Sequence, residues 1–119
     1  MTSRCSLVLL ALALLLFGCI AGCLSYSFGA VAYDGDELKV QVFNSGEPRE
    51  VVLQATIFRT EQFSQTEVYK KAEYKFLEQG ENEYRIPIDL EPGTYKIYLY
   101  VMIDGDRAAT EIRDIEIQA

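Results

Sequence analysis

The chain has 119 residues and a mass of 13.5 kDa, which is room for one domain rather than two. It has no His and no Trp, and its three Cys (Cys5, Cys19, Cys23) all lie in the first 23 positions. This excludes imidazole chemistry, a disulfide within the downstream part and a thiolate zinc site there. The formal charge is −7, and because only Arg4 among the basic residues precedes Cys23, the remainder carries −8. Nucleic acid is a poor partner for such a surface, since phosphate binding needs clustered Lys and Arg.

No charged residue lies between Cys5 and Tyr33, and Leu7 to Phe17 is almost wholly Leu, Ala and Val. A basic start at Arg4, an apolar stretch of secretory length and a small, turn-prone Gly18 to Gly22 stand in export order. The segment Ile20-Ala21-Gly22-Cys23 resembles the lipobox of prokaryotic lipoproteins. The resemblance implies cleavage after Gly22 and a diacylglyceryl group on the Cys23 thiol. Leu16-Phe17-Gly18-Cys19 is a weaker second match, because Phe17 stands where a small residue is expected. The competing expectation is a retained anchor, since Leu7 to Leu24 is just long enough to cross a bilayer as a helix. Either route makes the membrane a partner and places the domain on its extracytoplasmic side. The expected division is 1–22 signal peptide or membrane anchor, 23–24 lipidated link and 25–119 folded domain.

Downstream of Ser25 the hydrophobic period is two, the signature of strands with one buried face. A first strand is expected near Ser25 to Tyr33. Leu38, Val40 and Val42 alternate with Lys39 and Gln41, and Asn44-Ser45-Gly46 then supplies a turn. Val51, Leu53, Ala55 and Ile57 alternate with Val52, Gln54, Thr56 and Phe58 in a third strand, followed by a polar loop over 60–65. The stretch Glu67 to Phe76 reads as a charged edge strand, with a short helix over Val68 to Phe76 as the alternative because that part also holds good helix formers. Tyr84, Ile86 and Ile88 mark a fifth strand, and Tyr95, Ile97, Leu99, Val101 and Ile103 the clearest of all. The last strand, about 108–118, has a phase break between Ile112 and Ile115, for which a bulge near Arg113-Asp114 is the expected remedy.

Seven short strands without a long amphipathic helix predict an all-β, antiparallel immunoglobulin-like sandwich behind a hydrophobic N-terminal helix, with a closed barrel as the second choice. The frame from Leu38 through Asn44-Ser45-Gly46, and later Leu90-Glu91-Pro92-Gly93-Thr94-Tyr95, resembles fibronectin type III modules. It also resembles the cell-adhesion-related domains of archaeal and bacterial surface proteins. The resemblance covers most of 36–117 in spacing and implies fold class rather than activity. It also implies that Tyr95 is a tyrosine corner whose hydroxyl bonds nearby backbone, where the plain reading is an ordinary core Tyr.

Chemistry is sparse. Asp34-Gly35-Asp36 and Asp104-Gly105-Asp106 offer carboxylates, but calcium wants six to eight oxygens and the two turns fall at opposite ends of the expected sandwich. Both read as Asp-Gly turns, and no metal or other cofactor is expected. Ser45 and Ser64 have no base or nucleophile elbow, Glu47 with Glu50 reads as solvated loop charge, and Gly80, Gly93 and Gly105 are isolated turn glycines. No catalytic residue is assigned. The feature with binding potential is aromatic: if Ile97, Leu99 and Val101 point inward, Tyr98, Tyr100 and Met102 point outward, beside Val52 and Phe58 of the third strand. Packing across strands explains such residues without any function, whereas a contact surface for another envelope protein, another copy or a glycan explains them with one. The expectation is a non-catalytic, surface-anchored accessory or binding module. An extracytoplasmic subunit of a membrane transport complex and a small hydrolase are the alternatives.

Overall fold

The computed structural model describes residues 25–119; the leader and the expected lipid site Cys23 lie outside the described residues. Seven strands follow in order: β1 Tyr26–Tyr33, β2 Glu37–Asn44, β3 Arg49–Glu61, β4 Ser64–Leu77, β5 Gly80–Pro87, β6 Gly93–Ile103 and β7 Asp106–Ile117. They form a three-stranded sheet in the order β1-β2-β5 and a four-stranded sheet in the order β4-β3-β6-β7. Every pairing is antiparallel. The described residues contain no helix, so the helical alternative for Val68 to Phe76 gives way to strand β4. Pairing along the whole of β3, with a single bulge at Val68, decides it, since such a ladder outweighs weak helix propensity.

The two sheets share one core because each keeps a single apolar side inward. Leu38, Val40 and Val42 of β2 and Tyr84 and Ile86 of β5 meet Val51, Leu53, Ala55 and Ile57 of β3 and Tyr95, Ile97, Leu99 and Val101 of β6. The sheets remain separate hydrogen-bonded units, which replaces the closed-barrel alternative.

Two expectations of detail are corrected. The loop over 60–65 is a tight hairpin with only Gln62 and Phe63 between the strands, because Thr60 pairs with Gln65 and Glu61 with Ser64. Polar side chains do not stop a ladder made by backbone groups. The irregularity in β7 lies at Ala108, beside the turn, and not at Arg113-Asp114. From Ala109 to Ile117 the register is unbroken, so Ile112 stays on the outer side opposite Tyr98, 53% exposed. The inner positions between Ala109 and Ile115 are Glu111 and Arg113, an ion pair at 2.7 Å. Arg113 Nη2 also donates to the Phe28 carbonyl of β1 at 3.5 Å. The phase break thus reflects an edge strand with inward-facing charge, a usual guard against edge-to-edge association.

Side chains fix the turns. Asn44, 1% exposed, accepts from Gly46 N at 2.9 Å and donates to the Glu47 and Leu77 carbonyls at 3.0 and 3.4 Å. Asp34 Oδ1 accepts from Asp36 N and Glu37 N, both at 2.9 Å. The Tyr33 hydroxyl accepts from Leu90 N at 2.8 Å and lies within donating distance of the Ile88 and Gly35 carbonyls at 3.0 and 2.9 Å. It therefore ties the β5–β6 connection to the β1–β2 turn.

Tyr95 and Tyr84 are equally buried, at 2% and 1% exposure, but differ in their hydroxyls. Tyr95 donates to the Glu91 carbonyl at 2.6 Å. The Tyr84 hydroxyl has no hydrogen-bond partner among the described residues, and burial, followed by the Glu73 charge, pushes its pKa up. Losing a satisfied buried hydroxyl costs stability, whereas losing an unsatisfied one does not. Tyr95→Phe is therefore expected to lower the unfolding free energy by about 1–2 kcal/mol, and Tyr84→Phe to leave it unchanged or raise it. Urea unfolding followed by circular dichroism checks both.

Candidate functional site

β3 and β6 are the central pair of the four-stranded sheet, and their register sets its outer face. Thr56 pairs with Tyr98, Gln54 with Tyr100, Val52 with Met102 and Phe58 with Lys96. Ile57, Ile97 and Leu99 are fully buried, while Phe58, Tyr98, Tyr100 and Met102 are half-buried on the opposite side. The strand period alone brings the four sequence-singled residues onto one face, with Tyr95 inside the core.

Neighbouring strands extend this face. Opposite Tyr98 on β7 stands Ile112, and opposite Val52 on β4 stands Tyr74, 77% exposed. Phe76, on the same side of β4, is 57% exposed. Sequence reasoning missed these three. Ile112 was signalled by its own phase break, and Tyr74 and Phe76 follow from the alternation of β4 once it is a strand. Phe63, 97% exposed, lies apart at the tip of the β3–β4 hairpin, at the end of the domain opposite Ser25.

Within the face, the Phe58 and Tyr98 rings meet edge to face, with centroids 5.5 Å apart and planes at 82°. The Arg107 guanidinium stands over the Tyr100 ring at 4.5 Å. A shallow groove of about 340 Å³ runs between them, with Gln54 and Thr56 as its floor, Lys70 and Glu67 on the β4 side and Arg107 at the far end. Aromatic walls with a few side-chain hydrogen-bonding groups can hold a ligand that has both an apolar face and polar edges.

The Asp-Gly turns are engaged otherwise. Asp34 accepts two backbone N–H bonds and meets Lys39 at 3.4 Å. The backbone bonds hold its carboxyl below the usual carboxylate range. Asp104 and Gly105, both at positive φ, form the two-residue β6–β7 turn, and Asp104 meets Arg49 at 3.3 Å. The two turns lie at opposite ends of the sheets, and no group of three or more candidate metal ligands occurs among the described residues.

No protein-family model matches the chain, and no curated protein matches it. Among solved structures, the chain is similar to a Bacteroides fragilis protein described as a putative beta-galactosidase, with a TM-score of 0.50 and 19% identity. The likeness covers 78% of this chain but 16% of that one, so this chain spans about a sixth of its neighbour's length. At that identity the likeness is one of fold.

Removing side chains from the two sides of β6 should have unequal effects. Leu99→Ala empties part of the core and is expected to cost about 2–5 kcal/mol. Tyr98→Ala combined with Tyr100→Ala removes half-exposed rings and one edge-to-face contact, with an expected loss of about 1–2 kcal/mol. Thermal or urea unfolding of the two variants gives the comparison, and a double variant as damaging as Leu99→Ala would make the tyrosines core residues.

Proposed function

We propose that this chain is a non-catalytic binding module, held by lipid on Cys23 at the extracytoplasmic side of a prokaryotic membrane, that contacts other envelope proteins or glycans. Its fold in this reading is an immunoglobulin-like sandwich of the fibronectin type III kind. The observation that carries the binding role is the outer face of the four-stranded sheet. Phe58, Tyr98, Tyr100, Met102 and Ile112 gather there without being needed by the core, which is complete on the other side. A contiguous apolar patch flanked by polar side chains is what an interaction surface presents.

The strand order and the Tyr95 hydroxyl bond to the Glu91 carbonyl support the fold assignment, since a tyrosine corner makes a bond of the latter kind. The Bacteroides fragilis neighbour is named after an enzyme, but the shared part is 16% of it, and at 19% identity the likeness supports the fold alone. Asp34, kept as an anion by backbone N–H groups, suits a turn cap and not a general acid. A small hydrolase is therefore the less supported alternative. An outer subunit of a membrane transport complex has one favouring observation, the bare Phe63 at the end pointing away from Ser25.

Two measurements in the native host test this. Cys23→Ser is expected to release or misprocess the protein, while Cys5→Ser leaves it membrane-bound, as read by fractionation and mass spectrometry of the N-terminus. A mature chain that still begins at Met1 would replace the lipid with a retained helix. Crosslinking in intact cells should then capture a partner with the parent chain and lose at least about tenfold in yield with the Tyr98→Ala, Tyr100→Ala variant. Equal capture by both would remove the outer face from the proposal.

A further inference from the structure

The described part contains ten Lys and Arg side chains. Seven of them lie within 4.0 Å of a carboxylate: Lys39, Arg49, Arg59, Lys71, Arg85, Lys96 and Arg113. An eighth, Lys75, donates to the Glu83 carbonyl at 2.7 Å. The remaining two are Lys70 and Arg107, and both line the same groove on the outer face. In a domain with a surplus of eight carboxylates, the two described cations with neither a carboxylate nor a carbonyl partner are therefore gathered at the aromatic groove. Neither pairs with Glu67, which lies at the Phe58 end of the groove, away from Arg107. Alternation on the strands puts Lys70 level with Thr56 and Tyr98, and one step of the period, about 7 Å, separates that row from Gln54 and Tyr100 under Arg107.

Resting on the binding-face reading above, we propose that this groove takes a carboxylate-bearing sugar: a uronic-acid unit of an acidic glycan. The pyranose C–H face lies against Tyr98, its hydroxyls meet Gln54 and Thr56, and its carboxylate is drawn to Lys70 and to the Arg107 guanidinium that covers the Tyr100 ring. The charge pattern selects an anion. The backbone favours a sugar over an acidic peptide. β3 and β6 are paired on both sides, so their ladder groups are used up and a peptide main chain laid on this face finds no partners for its own N–H and C=O groups. A sugar needs only side chains.

The test uses the full chain in detergent micelles with defined probes: oligomers of galacturonate, glucuronate and mannuronate, the carboxyl-reduced neutral form of each, and polyglutamate. At least one uronate oligomer is expected to bind, by titration calorimetry or ligand-observed NMR, at least about tenfold more tightly than its neutral form. Lys70→Gln and Arg107→Gln should each weaken that binding at least about tenfold, the scale of one lost charge-assisted contact. Arg85→Gln, on the other sheet, should leave it unchanged. Circular dichroism establishes that each variant is folded. Absence of binding to all three uronates at millimolar concentration overturns the proposal, as does equal binding of neutral forms or of polyglutamate. Any of those results combined with cellular capture that still depends on Tyr98 and Tyr100 removes the acidic sugar and leaves the binding face standing. Loss of that dependence removes the face itself.

Discussion

The pairing of β3 with β6 is the constraint on which the rest of this molecule hangs. Each strand presents four core residues on one side, and the register between them aligns Leu53 with Val101, Ala55 with Leu99 and Ile57 with Ile97. Because side chains alternate strictly, the same register that assembles the core must assemble Val52, Thr56, Phe58, Tyr98, Tyr100 and Met102 on the opposite face. Core and candidate site are two consequences of one ladder. A slip of one residue would exchange them, exposing the aliphatic set and burying hydroxyls and a lysine.

A two-sheet fold has open sides where the edge strands of one sheet pass those of the other, and here long cations span them. Lys75 of β4 reaches the Glu83 carbonyl of β5 at 2.7 Å, and Arg113 of β7 reaches the Phe28 carbonyl of β1 at 3.5 Å. The second contact falls where β1 is irregular, between Phe28 and Val31, and where the Gln41 side chain accepts from Ala30 N at 3.2 Å. Edge strands with inward charge resist pairing with other chains, and the aliphatic stems of Lys and Arg still cover part of the core. The same need accounts for the broken alternation of β7 and for the charged reading of β4.

These demands leave little freedom for most charged groups. Carboxylates and cations along the turns and edges pair with each other or with backbone, which ties connections such as the Asp34 turn and the Arg59–Glu91 contact at 3.2 Å. The outer face of the central strands is under no such demand. Its ladder is complete, its residues are far from both open sides, and the rings it carries exceed what the core requires. The proposed binding role uses this freedom, since such a face presents shape and side-chain polarity on a rigid support while the backbone remains committed to the sheet.

The sequence by itself determined the strands and the inward side of most of them, because alternation over β2, β3 and β6 is a local property. It also determined the turns at Asn44-Ser45-Gly46, Asp34-Gly35-Asp36 and Asp104-Gly105-Asp106, where residue chemistry acts within a few positions, and it separated Phe58, Tyr98, Tyr100 and Met102 from the core set. Tertiary structure decided what depends on neighbours far along the chain. Strand β4 was ambiguous until β3 supplied its ladder. The hairpin at Gln62-Phe63 closed through a polar stretch because backbone pairing ignores side-chain polarity. Hydrophobicity alone assigns Ile112 to the core by way of a bulge, but Glu111 and Arg113 take the inner positions, since an edge strand facing β1 has charge to gain there and little core to fill. Tyr74 and Phe76 joined the outer face only through β4. Likewise, nothing local marks Lys70 and Arg107 as the two cations left beside the aromatic groove: they lie 37 positions apart in sequence, on opposite edge strands, and only the four-stranded sheet brings them to one surface.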